Sequence, residues 1–456
     1  MTSKAPTRSK QNNSPKSDGT GARRAAAAVL QSVLDKGETL ETALNRELSA
    51  KDLAHHPSDR AFARAISTTA LRRLGQIDAV LDAMLDKSLP EKAAFAMALL
   101  RGGTAELLFL GSAAHAAVNC AVELTNSNKH TRPYRGLMNA ILRRVTREGA
   151  DIIKAQEAGQ ETGHGAGMTN TPYWAWRSWE LAYGPETAGA IADAHLAEPP
   201  LDLSVKSDPE GWAKTLSGTR LPTGSIRLSH PGRIEELPGY ADGDWWVQDA
   251  ATALPHRLLG DVAGEDVLDL CAAPGGKTLA LAAAGAIVTA VDRAGGRLER
   301  LKENLTRTKL SADVVKADLT DWAPSRKWKK ILLDAPCSAT GTARRHPDVL
   351  RSKKGEDITS LAPVQATLLA KSAEWLEPGG TLIYCTCSLE PLEGPAQAAL
   401  FLKNNPAFKR VPITPDEIGG LSECITPEGD LRTLPCHLGD QGGMDGFYAV
   451  RLTFVG

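Results

Sequence analysis

Two cysteines stand where neighbouring strands could present them to one substrate. Ile331, Leu332 and Leu333 run into Asp334-Ala335-Pro336-Cys337-Ser338, and Leu382, Ile383 and Tyr384 run into Cys385-Thr386-Cys387-Ser388. Short apolar runs closed by turn residues read as buried strands, and in open α/β sheets ligands bind beyond the carboxyl ends of the strands. If these strands are neighbours, about 4.8 Å apart, both thiols reach the same ligand. Beside a methyl donor, two thiols select a chemistry. An exocyclic amine attacks the methyl group with its own lone pair, and enzymes for that reaction carry Asp/Asn-Pro-Pro-aromatic at this strand end, where this chain has Cys337. Carbon 5 of a pyrimidine is a poor nucleophile until a thiolate adds to carbon 6. One cysteine must attack, and a second group must help remove the carbon 5 proton so that the enzyme is released. Asp334, close to the ring, is placed to share a proton with N3 and stabilise the adduct as charge develops. The pair therefore points to cytosine-5 methylation, although spacing alone does not say which cysteine attacks.

The element that must hold the donor is residues 266–278, DVLDLCAAPGGKT. Val267, Leu268 and Leu270 form a buried strand that breaks into a loop of small residues, Cys271, Ala272, Ala273, Pro274, Gly275 and Gly276, followed by Lys277. Gly-Gly-Lys-Thr ends like a phosphate-binding P-loop, but the glycine required five residues before Gly276 is Cys271. The dinucleotide fingerprint G-x-G-x-x-G is also absent. A second apolar run, 287–291, ends in Asp292, an acidic residue placed for the two hydroxyls of a ribose. With Asp269 on the first strand, this combination resembles the S-adenosylmethionine pocket of Rossmann-like methyltransferases.

Other readings of the cysteines are weaker. Cys385-x-Cys387 lacks a second Cys/His pair at zinc-finger spacing, so no metal is expected. A redox pair wants C-x-x-C, which is missing. Cys120, Cys271, Cys424 and Cys436 read as structural thiols. Seven cysteines in 456 residues, odd in number and concentrated in the second half, do not form a secreted disulfide framework. No run of eighteen apolar residues and no signal peptide are present, so a cytoplasmic protein outside the membrane is expected. A net charge of -1 neither demands nor excludes a nucleic-acid partner.

The length allows two or three domains. Residues 1–23 carry Lys and Arg among Ser, Asn, Pro and Gly, and read as a disordered basic tail. Residues 24–148 are an all-α domain, with Val29, Leu30, Val33 and Leu34 on one face and Leu40, Ala43, Leu44 and Leu48 on the next. Gly-rich residues 149–171 read as a linker. Residues 172–244 are an intermediate RNA-binding and helical region, where Trp176, Trp179 and Tyr183 at helical spacing form a core stripe. Residues 245–456 alternate strands (313–316, 331–334, 381–385, 447–454) with helices (297–305, 364–376), the pattern of a mostly parallel sheet covered on both faces.

The motifs together resemble the Nop2/Sun family of RNA cytosine-5 methyltransferases. The residues that carry the likeness are 268–278, Asp334-Ala335-Pro336-Cys337-Ser338-Ala339-Thr340-Gly341 with Arg344-Arg345-His346-Pro347-Asp348, and Thr386-Cys387-Ser388. In the helical domain, Asp59-Arg60-Ala61-Phe62, Ala70-Leu71-Arg72-Arg73, Leu99-Leu100-Arg101, residues 113–118 and residues 136–144 follow one another as in a NusB-type RNA-binding domain. The two likenesses combine in the bacterial Sun-type branch, which acts on 16S ribosomal RNA. The resemblance implies an all-α NusB-like domain joined to a Rossmann-like class I methyltransferase domain, with S-adenosylmethionine as cofactor. It also implies a monomer acting on 16S ribosomal RNA or a small-subunit assembly intermediate. Cys387 would be the nucleophile and Cys337 would promote release and proton removal. Residues 273–277 would hold the methionine end of the cofactor, Asp292 its ribose and Asp318 its adenine, with Cys271, Ala272 and Asp334 also in the cofactor site, and Lys277 would orient Asp334 or the cofactor. Arg344, Arg345 and His346 would meet the RNA backbone. Two departures stand out: Ser204-Val205-Lys206 lacks the family's Arg and Asn, and 390–395 replaces an acidic-acidic-Asn segment with Glu-Pro-Leu-Glu-Gly-Pro. A transfer-RNA enzyme of the same family, or an assembly factor with an inactive pocket, are the competing readings.

Overall fold

The computed structural model describes residues 19–49, 53, 56–158, 165–229 and 231–456. The tail expected over 1–23 lies outside the described residues up to position 18, and its last residues are helical from Thr20. The chain divides into two compact units, 1–155 and 156–456.

The first unit is all helical: Thr20–Lys36, Leu40–Leu48, Pro57–Arg72, Leu74–Asp82, Ala94–Leu108, Ala114–Leu124 and Arg135–Glu157. The apolar face of the first helix (Ala22, Ala25, Val29, Leu30, Val33) packs with Leu44, Leu71, Ile77, Leu99 and Leu142 into one core. At Gly103 an added Cβ would lie 3.1 Å from Leu142, so a small residue lets two helices approach. Inside this core Arg23 pairs with Glu106 at 2.7 Å, their side chains 10% and 2% exposed. The linker expected at 149–171 is in part helix: the pattern Val145, Ile152, Ile153 keeps one face packed, and the last helix of the unit runs on to Glu157. Periodicity over so short an apolar-poor stretch does not show this.

The second unit begins with Ala166–Thr169, Tyr173–Tyr183 and Pro185–Ala194. Trp176 and Trp179 are buried with Ala188 and Ile191, as the helical spacing predicts. A small antiparallel sheet follows in the order β2-β3-β1-β4, with β1 Leu201–Val205, β2 Thr219–Arg220, β3 Ile226–Leu228 and β4 Trp245–Val247. Asp202 and Arg227 are cross-strand partners and form a buried ion pair at 2.6 Å. β4 pairs with β1, so the boundary at 245 shifts: this strand belongs to the small sheet, while its Trp246 and the following Ala250 and Ala251 share a buried core with Val267 of the large one.

The large sheet holds β5 Asp266–Leu270, β6 Ile287–Asp292, β7 Asp313–Lys316, β8 Trp328–Asp334, β9 Leu376–Thr386, β10 Phe408–Arg410, β11 Leu431–Thr433 and β12 Phe447–Phe454. Its order is β10-β12-β9-β8-β5-β6-β7, with β11 on β12. The five strands β9-β8-β5-β6-β7 are parallel and β12 returns antiparallel against β9. β5, β8 and β9 are buried on both faces, with Leu268, Leu270, Ile331, Leu333, Leu382 and Tyr384 toward one layer and Val267, Leu332, Ile383 and Cys385 toward the other. That two-sided burial explains their continuous apolar runs. In this register Asp334 pairs with Cys385, so both cysteine-bearing ends leave the sheet side by side.

Candidate active site

β5 ends at Leu270, and the chain then turns through Cys271 (φ 58) and Gly275 (φ 108) into the helix Gly276–Ala283. Gly275 is required: its φ lies in the left-handed region, and a Cβ there would come within 2.3 Å of Leu301. The loop is held from β6, since Asp292 Oδ2 accepts from the Ala273 N–H at 3.1 Å and Oδ1 from the Ala294 N–H at 2.8 Å. Arg297 donates to the Ala273 carbonyl. A cavity of about 560 Å³ opens beyond these strand ends. Ala272, Ala273, Pro274, Gly276 and Lys277 line it from the loop, with Asp269, Asp334 and Cys387 from the strands beneath and Arg345, His346 and Phe447 opposite. The cavity lining does not include Cys271, Gly275, Asp292, Asp318 or Cys337. Asp292 is buried behind the loop, and Asp318 is a surface turn residue that accepts from Thr320.

Cys337 Sγ and Cys387 Sγ lie 3.5 Å apart. The hydrogen bond to Cys387 and then burial push the Cys337 thiol well above the ordinary cysteine range, and either sulfur can donate in the contact between them. Lys277 Nζ sits 2.7 Å from Asp334 Oδ2 and 4.9 Å from the centre of the Phe447 ring. Burial opposes the charge on Lys277, but Asp334 and Cys385 outweigh it and raise its pKa. Lys277 therefore orients Asp334.

The basic run that the sequence assigns to RNA splits in two. Arg344 is 1% exposed; it donates to Asp249 Oδ2 at 2.9 Å and to the Gly442 carbonyl at 2.5 Å. It is a buried strut and not a phosphate contact, because Asp249, the Gly442 carbonyl and Asp445, just before β12, surround its guanidinium. Arg345 is held by Asp445, with Nε 2.8 Å from Oδ2, yet still reaches the cavity wall, as does His346. Burial works against the Asp249 carboxylate, but Arg345 and Arg344 outweigh it and hold its pKa low. Burial raises Asp445 to about 6 against the pull of Arg345.

Comparisons with known proteins decide the family. The 16S rRNA methyltransferase RsmB/F model matches residues 257–453, and the NusB family model matches residues 20–147. Ribosomal RNA small subunit methyltransferase B of Vibrio vulnificus is 36% identical over 406 residues, covering 85% of this chain and 92% of that protein. The chain belongs to the RsmB/F methyltransferase family. The Vibrio cholerae member is 35% identical over 443 residues, 93% of this chain and 96% of its own. Among solved structures, one titled Crystal Structure of PH0851 has the same fold (TM-score 0.73, 22% identity, 95% of this chain and 98% of that one). NSun6 from Pyrococcus horikoshii with SFG does so over a shorter stretch (TM-score 0.53, 18% identity, 62% of this chain and 98% of that one). As a member of the RsmB/F family this protein is an enzyme, a methyltransferase that takes its methyl group from S-adenosylmethionine. Among the described residues no helix is long and apolar enough to cross a membrane.

The side chains fit that cofactor. Asp269 is fully buried at the cavity floor, where Thr278 donates to Oδ2 at 2.6 Å and Oδ1 has no hydrogen-bond partner. Burial raises Asp269 to about 7, partly offset by the Thr278 bond. An unfilled acceptor of this kind suits the α-ammonium group of the methionine moiety, whose positive charge relieves the burial penalty.

Glu393 is completely buried and binds both cysteine loops, receiving the Ser338 N–H at 2.9 Å and the Ser388 hydroxyl at 2.5 Å. Glu390 accepts from Trp179 Nε1 at 3.1 Å and from Ser178, joining the Tyr173–Tyr183 helix to the segment after Cys387. The unusual 390–395 segment was the signal: two glutamates among apolar neighbours are either solvated or internal, and only the fold separates those cases. Ser204, at the other departure, donates to Gln248 at 2.8 Å, and Gln248 lines the cavity.

Proposed function

We propose that this enzyme methylates carbon 5 of a cytosine in 16S ribosomal RNA, with Cys387 as nucleophile and Cys337 assisting release. The observation that carries the reading is the pair of sulfurs 3.5 Å apart just past the ends of adjacent parallel strands, with Cys387 lining the cofactor cavity and Cys337 behind it. Relatives that match most of the chain are named for the small-subunit ribosomal RNA, which favours that substrate over transfer RNA. Either naked RNA or an assembly intermediate can present it. The protein acts as a monomer in the cytoplasm, and its NusB-like unit holds the folded RNA.

S-adenosylmethionine, when bound against Ala272, Ala273, Pro274, Gly276, Lys277 and Asp269, supplies an electrophilic methyl group on a sulfonium. The chain's own residues do the rest. A cytosine turned out of its stack enters between Cys387 and Asp334. The Cys387 thiolate would add to carbon 6, and the ring electron pair would move to carbon 5, which would take the methyl group as the donor sulfur keeps the electron pair of its broken bond to that carbon. Asp334, fixed by Lys277, holds the proton at N3 while charge builds on the ring. Carbon 5 then loses its proton to solvent, the 5,6 double bond re-forms, and Cys387 departs with the electron pair of its bond to carbon 6. The protonated Cys337 beside it donates a hydrogen bond to the departing thiolate.

Incubating Cys387→Ala and Cys337→Ala enzymes with 16S RNA and cofactor, followed by a denaturing gel, tests the assignment. Cys387→Ala should give neither product nor adduct. Cys337→Ala should accumulate protein covalently joined to RNA. The reverse pattern exchanges the two roles, and no 5-methylcytosine from the unmodified enzyme rejects the reaction.

A further inference from the structure

We propose that Glu393 is a positioning residue that sets the spacing of the two thiols through the serine following each cysteine, an inference resting on the cytosine-5 reading of the site. Glu393 Oε1 accepts the Ser338 N–H at 2.9 Å and Gln365 Nε2 at 2.9 Å. Oε2 accepts the hydroxyls of Ser338 and, at 2.5 Å, Ser388. Four donors fill the acceptor sites of one carboxylate. Among the described residues it makes no ion pair, so hydrogen bonds alone hold the group in the interior.

The connectivity matters more than the count. Ser338 is covalently next to Cys337 and Ser388 next to Cys387, so a single rigid carboxylate ties together the two loops that leave β8 and β9. Gln365, from the helix Gly355–Glu374, adds a second tether by donating to the Pro336 carbonyl at 2.9 Å, one residue before Cys337. Glu393 is itself anchored to the sheet: its carbonyl accepts from the Tyr384 hydroxyl at 2.7 Å and from Thr386 at 3.3 Å. The serine hydroxyls stand 3.2 Å apart behind the thiols, which stand 3.5 Å apart in front. Adjacent strands fix their backbones about 4.8 Å apart, but both cysteines lie past the last ladder pair, where the sheet no longer controls them. The clamp supplies the control that the ladder cannot. Glu393 touches neither sulfur by a hydrogen bond and has no place in the cavity lining, so it acts through Ser338 and Ser388.

The test uses the full-length enzyme and a reporter of thiol spacing that does not require turnover. Phenylarsine oxide captures two adjacent thiols: two As–S bonds form, and the oxide oxygen leaves as water with both thiol protons. Unmodified enzyme should bind it in a 1:1 complex that Cys337→Ser abolishes. Glu393→Ala should weaken capture by about tenfold or more, because the second thiol no longer closes the chelate. It should lower kcat by about a hundredfold, the cost of a misplacement near 1 Å, with KM for RNA and cofactor affinity essentially unchanged. Glu393→Gln keeps the shape and one acceptor oxygen while the hydroxyls reverse toward the amide, and should recover most of both losses. Should Glu393→Ala fail to fold, Gln365→Ala removes one donor and the Pro336 tether, and should weaken capture and kcat together. Arsenical capture equal to that of the unmodified enzyme in both Glu393 variants overturns the proposal, whatever their activity. If the unmodified enzyme captures the arsenical but forms no 5-methylcytosine, the cytosine-5 reading fails, and the capture series still decides whether Glu393 spaces the thiols.

Discussion

Replacing Arg344 with methionine separates two accounts of the Arg344-Arg345 pair. If Arg344 met RNA phosphates, its loss would weaken binding in a salt-dependent way and leave folding alone. In the structure it is 1% exposed, bonded to Asp249 Oδ2 at 2.9 Å and to Gly442. Methionine fills much of the space but leaves Asp249 buried, with Arg345 as its remaining cation at 3.9 Å. Removing one partner of a buried pair costs about 3–5 kcal/mol, and the retained Arg345 puts the expected loss near the lower figure, about 3 kcal/mol. With a urea dependence of about 3 kcal/mol per molar, the unfolding midpoint should fall by about 1 M. All nine tryptophans lie between positions 174 and 375, so intrinsic fluorescence follows the second unit without interference from the helical one. The same protein should keep the salt slope of RNA binding, since each lost phosphate contact would flatten the log–log slope by about 0.7–0.9. An unchanged midpoint with a slope reduced by that amount would refute the strut and restore the phosphate contact.

Two further substitutions probe the cofactor floor and its walls. The pKa of Asp269, raised to about 7 by burial, means that the folded protein holds a proton the unfolded chain releases, so this residue's contribution to stability falls as pH rises from about 4 to about 7. Cofactor affinity should strengthen over the upper part of that window as the carboxylate ionises to meet the ammonium. Asp269→Asn should flatten the pH dependence of affinity measured by calorimetry, and a pH profile identical to the parent's would remove Asp269 from the site. Gly243 has φ 74, and a Cβ there would come within 1.9 Å of the Arg307 carbonyl. Gly243→Ala should therefore destabilise the second unit by about 2 kcal/mol or more, visible as a lower fluorescence midpoint, and an unchanged midpoint would show that the turn can rearrange.

The chemistry was readable in the chain because it depends on residue types that stand close together in sequence. Apolar runs ending in Asp334-Ala335-Pro336-Cys337 and Thr386-Cys387, and the small-residue loop at 271–276, mark strand ends and a ligand turn by local rules alone, and the helical spacing of Trp176 and Trp179 marks their burial. What the tertiary structure decided is every pairing between residues far apart in the chain. Arg344 and Arg345 look alike in sequence, yet one is sealed against Asp249 and the Gly442 carbonyl while the other, held by Asp445, reaches the cavity. β4 joins the small sheet because β1 offers it an edge, which no local pattern records. Glu393 reads as a surface glutamate until 55 residues of separation from Ser338 are closed by the sheet. Local propensity and hydrophobic period act over a few residues, whereas the burial and charge pairing of a polar side chain depend on what the whole fold brings to it.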